Sequence, residues 1–154
     1  MTTNDESGMR KYTSSSEDIK KTIKSNEVHC LLPRNCRESF IITFPNTVSE
    51  EGINNKITES LKQSMPNSST FILCMDKINV NKDTTGYNIV FLNIHKELIN
   101  NLFLGGIKTA NFYVGYSENT NEYPLLDGPP LDNQIAKYNR ENKQMPYKVS
   151  IQLS

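Results

Sequence analysis

Ile53, Ile57, Leu61 and Met65 recur at every fourth position, and the stretch that carries them is punctuated at both ends. Large apolar side chains at this spacing lay one stripe along an α-helix. Asn46-Thr47-Val48-Ser49-Glu50-Glu51 ahead of it offers two start signals. Thr47 with Glu50 would form a capping box, whereas Ser49 as N-cap would put Val48 and Ile53 at hydrophobic-staple positions. Pro66 ends the helix by restricting the residue before it. A helix with one apolar stripe must bury it against a second layer, so the flanking sequence decides the fold.

Upstream, Arg37 to Pro45 (RESFIITFP) is a short apolar run stopped by proline, which suits a buried strand. Downstream, Thr70 to Val80 (TFILCMDKINV) and Thr85 to Ile94 (TGYNIVFLNI) are joined by the polar turn Asn81-Lys82-Asp83-Thr84 and read as a β-hairpin. His95 to Leu104 places Leu98, Ile99, Leu102 and Phe103 on one helical face, and Gly105-Gly106 suits a left-handed C-terminal cap. Ile107 to Tyr116 (IKTANFYVGY) reads as a fourth strand. The order β-α-β-β-α-β is that of the ferredoxin-like, or split βαβ, arrangement. The expected class is therefore α+β, a four-stranded antiparallel sheet with two helices on one face and the other face open.

This domain is expected over residues 37–117. Residues 1–36 read as a flexible polar arm, because large apolar side chains up to residue 27 are few, chiefly Tyr12, Ile19 and Ile23, too few to offset the entropy of ordering. Residues 118–146 read as a polar loop broken by Asp127-Gly128-Pro129-Pro130. In residues 147–154, Tyr147, Val149, Ile151 and Leu153 alternate with polar residues as in a half-buried strand. That strand either pairs with a sheet edge, the favoured reading, or begins a structure that continues past residue 154.

Charge bounds the partners. The chain carries 17 Lys/Arg and 17 Asp/Glu. Within residues 37–116 the balance is seven to seven, so the domain lacks the basic footprint that supplies non-specific nucleic-acid affinity. Cys30, Cys36 and Cys74 are an odd number with no apolar leader ahead of them, which argues against a disulfide scaffold. No apolar run reaches the length that spans a bilayer. The expectation is an intracellular protein, nuclear or cytoplasmic, with no membrane partner.

Two stretches resemble the RNA-recognition motif. Ser39-Phe40-Ile41-Ile42-Thr43-Phe44-Pro45 followed by Val48-Ser49-Glu50-Glu51 is similar to its first strand and helix start. Thr85-Gly86-Tyr87-Asn88-Ile89-Val90-Phe91-Leu92 is similar to its third-strand signature at the glycine, the first aromatic and the valine. The resemblance covers about residues 38–116 and implies a module that binds single-stranded RNA by stacking bases on outward aromatics, at about 1–3 kcal/mol per base. It places Phe40, Tyr87 and Ile89 on the open sheet face and turns Ile41, Val90 and Leu92 toward the helices. Phe40 and Tyr87 would stack bases, Ile89 would give apolar support, and Lys77, Lys82 and Lys108 would contact the backbone. Two positions depart from the motif: Thr85 stands where a cation contacts phosphate, and Ile89 stands where a ring stacks. Divergent domains similar to this one occur in gag-like proteins of retroelements. The neutral charge and reduced platform support an alternative, a protein-interaction or assembly module on the same fold without nucleic acid.

No catalytic or cofactor pattern accompanies these features. His29, Cys30 and Cys36 lack the fourth ligand of a structural zinc site. His95 begins a helix beside Glu97 without a nucleophile motif, where capping is an ordinary role. Lys and Ser/Thr do not follow Gly105-Gly106 at phosphate-loop spacing. The expectation is a non-enzyme without metal or cofactor.

Overall fold

The computed structural model describes residues 15–116, 125–133 and 147–153, and the structural statements below concern these. The protein is α+β and divides into two units, residues 37–94 and the segments on either side of them. In the chain, residues 37–94 are inserted between two parts of the flanking unit. Among the described residues no helix is long and apolar enough to cross a membrane.

The inserted unit contains β2 (Arg37–Pro45), α2 (Glu50–Ser64), β3 (Ser68–Asn79) and β4 (Thr84–His95, its last residue assigned to the flanking unit). Ser49 is the N-cap of α2, its hydroxyl accepting the backbone N–H of Gly52 at 3.1 Å, so the second of the two start signals is the one used. Ile53, Ile57 and Leu61 are buried along one face of α2, and Met65 packs against the same cluster. The sheet has three strands in the order β2-β4-β3, with β2 and β4 antiparallel.

The flanking unit begins with α1 (Ser16–Thr22) and β1 (Glu27–Pro33), the latter followed by a 3-10 turn at Arg34–Cys36. It resumes with α3 (Lys96–Leu104) and continues through β5 (Thr109–Tyr116), β6 (Leu125–Leu126) and β7 (Tyr147–Gln152). Its sheet has the order β6-β1-β5-β7 and is mixed: β1 and β5 are parallel, while β6 and β7 pair antiparallel with β1 and β5. Alternation gives it an apolar face, with Val28, Cys30, Leu32, Ala110, Phe112, Val114 and Val149 all buried.

Three expectations need correction. The strand expected as the fourth of a ferredoxin-like sheet is β5, and it lies in the flanking sheet instead, so the inserted sheet has three strands. The reason is that β5 finds apolar neighbours on both sides, β1 and β7, which together make it an interior strand. The expected arm, residues 1–36, contains α1 and β1, and β1 is buried from Val28 to Pro33. A strand buried this fully reads as a short apolar run without alternation, and its parallel partner stands about 80 residues further on, so nothing local marks it. In the expected loop, residues 118–146, Leu125–Leu126 form the short strand β6 beside His29 and Cys30. Residues 1–14 of the arm and most of that loop lie outside the described residues. β7 pairs with a sheet edge, that of β5.

A two-isoleucine contact holds α1. Ile19 and Ile23 lie four residues apart and are both buried. Gly105, at the end of α3, makes the approach possible: a Cβ there would meet Ile19 Cγ2 at 2.8 Å and the Asn101 carbonyl oxygen at 3.0 Å. Gly106 takes the left-handed conformation, φ +90°, that ends α3. Gly105→Ala should therefore destabilise the protein by about 1–3 kcal/mol through overpacking, measured by urea unfolding, whereas alanine at exposed Lys24 should leave stability unchanged.

Candidate functional site

The register of β2 on β4 decides what each face of the inserted sheet carries. Phe40 stands opposite Ile89, Ile42 opposite Tyr87 and Glu38 opposite Phe91. Directly opposed residues share a face, so Phe40, Ile42, Phe44, Tyr87, Ile89 and Phe91 all lie on one side. That side is the one α2 covers: these residues form a single cluster with Ile53, Ile57 and Leu61. Phe40 meets Phe91 edge-on, ring centroids 5.8 Å apart, and Phe44 meets Tyr87 in the same way at 6.3 Å. Edge-to-face contacts are the favoured geometry for paired rings and belong to packing.

The expected base-stacking platform is therefore not on the open face. Ile89 is fully buried, and Phe40 is half-buried against the core. Ile41, expected to point inward, is 65% exposed. Of the expected backbone contacts, Lys77 is exposed and lines a depression of about 420 Å³ together with half-buried Tyr87. Pro45, Asn46, Asn79 and Asn81 are among its other lining residues, and Glu50 also faces it. Lys82 is exposed in the β3–β4 turn, where its carbonyl oxygen accepts a hydrogen bond from Asn46 Nδ2 at 2.6 Å. Lys108 belongs to the flanking unit, so the three lysines do not form one patch within the inserted unit. His95 caps α3, its Nδ1 accepting the backbone N–H of Glu97 at 3.3 Å.

The face opposite α2 carries Arg37, Ser39, Ile41 and Thr43 from β2 and Gly86, Asn88, Val90 and Leu92 from β4, and it is open only in part, since Gly86 and Leu92 are buried. β3 contributes Ile78, whose Cβ would lie 3.7 Å from a Cβ on Gly86, and Val80 just beyond the strand end would lie closer still. Alternation along β3 puts Ile72, Cys74 and Asp76 on the same face as Ile78. Val80 is 48% exposed and Ile72 38% exposed. Ile41, Ile72 and Val80 are separate aliphatic positions in solvent on this face, Ile72 and Val80 about 26 Å apart along the strand direction, with hydroxyls, an amide, a thiol and a carboxylate among the side chains between them. Cys74 donates to Asp76 Oδ2 at 3.2 Å, and this bond is the main cause that raises the thiol's pKa.

The flanking sheet has a polar face that the sequence reading did not identify. His29 Nδ1 and the Tyr113 hydroxyl are 2.8 Å apart, both side chains are buried, and Glu27 Oε1 lies 3.6 Å from His29 Nε2. Asn111 is buried beside them, and its amide donates to Glu27 Oε1 and to the Val28 carbonyl oxygen, each at 3.2 Å. Ser150 donates to Asn111 Oδ1, and Lys148 lies over the Tyr113 ring, 5.9 Å from its centroid. Strand alternation brings these residues together, positions 27 and 29 of β1, 111 and 113 of β5, 148 and 150 of β7. The same alternation is visible in the sequence of β7 alone, whereas β1 falls in the segment expected as a polar arm.

Burial lowers the pKa of His29, Glu27 opposes that shift, Lys148 reinforces it, and Asp127 opposes it. His29 Nδ1 and the Tyr113 hydroxyl share one hydrogen bond, and the tautomer of the neutral imidazole sets which of them donates. Burial, and then Glu27, raise the pKa of Tyr113, which keeps the phenol protonated. Ser150 gives its hydroxyl to Asn111, so no serine is aligned on His29 as a nucleophile. Among the described residues no group of three or more His, Cys, Asp or Glu is placed to hold a metal ion. No family model, curated protein or solved structure matches the chain.

The lowered pKa has a definite sign in stability. Below the ordinary value of 6.5 the unfolded chain takes up a proton on His29 that the folded protein resists. The stabilisation is thus complete above pH 6.5 and is lost as pH falls through the lowered folded value. Unfolding midpoints measured from pH 8 to pH 5 should fall below about 6.5, and His29→Gln should remove part of that slope. A slope unchanged in the variant would assign the acid sensitivity to other groups.

Proposed function

We propose that this protein is a non-enzymatic interaction module whose inserted three-stranded sheet binds another protein through the face opposite α2. One observation carries the reading: Ile41, with Ile72 and Val80, stands in solvent on that face. Ile41, a large aliphatic side chain 65% exposed on an ordered sheet, is the position a protein partner would cover, and Ile72 and Val80 extend the apolar character of the same face along β3. The even charge of the chain fits a protein partner better than a polyanion.

Single-stranded RNA is the second reading, and it has its own observation. Lys77 and Tyr87 line the same depression, where a ring and a cation would meet the base and phosphate of one nucleotide. This keeps part of the resemblance to the RNA-recognition motif but moves the contact from the sheet face to the end of the hairpin. Glu50 on the lining and the aromatic pair turned into the core count against it.

Photo-crosslinking separates the two. A photoreactive residue placed at position 41 should give discrete protein adducts in cells, and the same residue at exposed Lys62 on α2 should not. RNA adducts formed from position 77, with no protein adduct from position 41, would reverse the order of the readings.

A further inference from the structure

Strand β3 has the composition of an interior strand and the position of an edge. Phe71, Ile72, Leu73, Cys74 and Met75 follow one another without charge or proline, a run that suits a strand covered on both faces. Yet β3 lies at the end of the order β2-β4-β3, with β4 as its one strand neighbour among the described residues. None of its residues is buried, whereas central β4 buries Ile89, Phe91, Leu92 and Ile94. The opposite edge is blunted: β2 opens with Arg37-Glu38 and closes with Pro45. Charge and proline are the usual means of keeping an edge from pairing, and β3 has charges only at Asp76 and Lys77, near one end.

We propose that the free edge of β3 pairs antiparallel with β3 of a second copy of this chain, about a two-fold axis at Leu73. Two three-stranded sheets then join into one of six strands. This rests on the reading of the inserted sheet as an interaction module and names a partner for its β3 edge. The register follows from the residues. With Leu73 opposite its own copy, Ile72 faces Cys74, Phe71 faces Met75, Thr70 faces Asp76 and Ser69 faces Lys77. Between Ser69 and Lys77 apolar residues meet apolar ones and each charge meets a hydroxyl. Pairing centred on Cys74 would set Ile72 against Asp76 and Phe71 against Lys77. Parallel in-register pairing would stack Asp76 on Asp76 and Lys77 on Lys77, and directly opposed like charges are destabilising. The antiparallel pairing is isologous, so it closes as a dimer rather than growing into a filament.

The full chain tests this by light scattering across a dilution series, with two variants. The wild type should show a mass near twice 17.6 kDa when concentrated and return to the single-chain mass on dilution. Ile72→Lys should hold the single-chain mass at every concentration with an unchanged thermal midpoint, because Ile72 is already partly in solvent. Ile72→Cys should give a covalent dimer on mild oxidation, mapped by mass spectrometry to the introduced thiol and Cys74 of the second copy. A wild type of single-chain mass throughout would overturn the proposal, as would a dimer that survives Ile72→Lys and yields no such cross-link. A single-chain mass together with protein adducts from position 41 would overturn self-pairing alone and leave the interaction reading standing.

Discussion

Phe40 and Ile89 stand opposite one another across β2 and β4, and this one pairing sets the direction of every side chain in the inserted sheet. Because the side-chain period of a strand is two, a slip of one residue would exchange the two faces completely. In the observed register three large apolar residues of β2, Phe40, Ile42 and Phe44, meet Ile53, Ile57 and Leu61 of α2. Only Ile41 is left on the other side as a large apolar residue of β2. Burying three rather than one is worth several kcal/mol at about 1.5–3 kcal/mol per fully buried side chain, enough to hold the register firmly. The exposure of Ile41 is a consequence of the same choice, whereas the β3 edge follows from the strand order.

The flanking unit applies the same alternation to a different end. One face of its sheet is wholly apolar, and the other gathers Glu27, His29, Asn111, Tyr113 and Ser150 into a hydrogen-bonded set. A buried polar group without a partner is costly, and a satisfied network instead fixes one arrangement. Asn111 is the junction: it joins Glu27 on β1 to Ser150 on β7 across the central strand. The set therefore ties three strands together by side chains as well as by backbone, and its one histidine links that tie to pH.

The local elements were legible in the residues. The α2 stripe, the Ser49 start, the β3–β4 hairpin and the Gly106 stop all rest on contacts within a few positions, which periodicity and capping chemistry report directly. Sheet membership was not legible. β1 is recognisable only once Ala110, Phe112 and Val114 are beside it, and those stand beyond the whole inserted unit. The site expectation failed for another reason. The resemblance to the RNA-recognition motif assigned Phe40 outward, although β2 by itself, with Phe40, Ile42 and Phe44 on one side and Ser39, Ile41 and Thr43 on the other, already favours the opposite sense. The polar set around His29 escaped because its members come from strands separated by long stretches of chain.

The claim on which the functional reading depends is the orientation of the inserted sheet, and a paired alanine substitution tests it most directly. Equilibrium unfolding of Phe40→Ala should show a loss of about 2–4 kcal/mol, since the ring packs against Phe91 and the α2 cluster, while Ile41→Ala should stay within about 0.5 kcal/mol of the wild type. The reverse pattern, a tolerant Phe40 and a costly Ile41, would show that the two faces are exchanged, and the reading of the face opposite α2 as an interaction surface would fall with it.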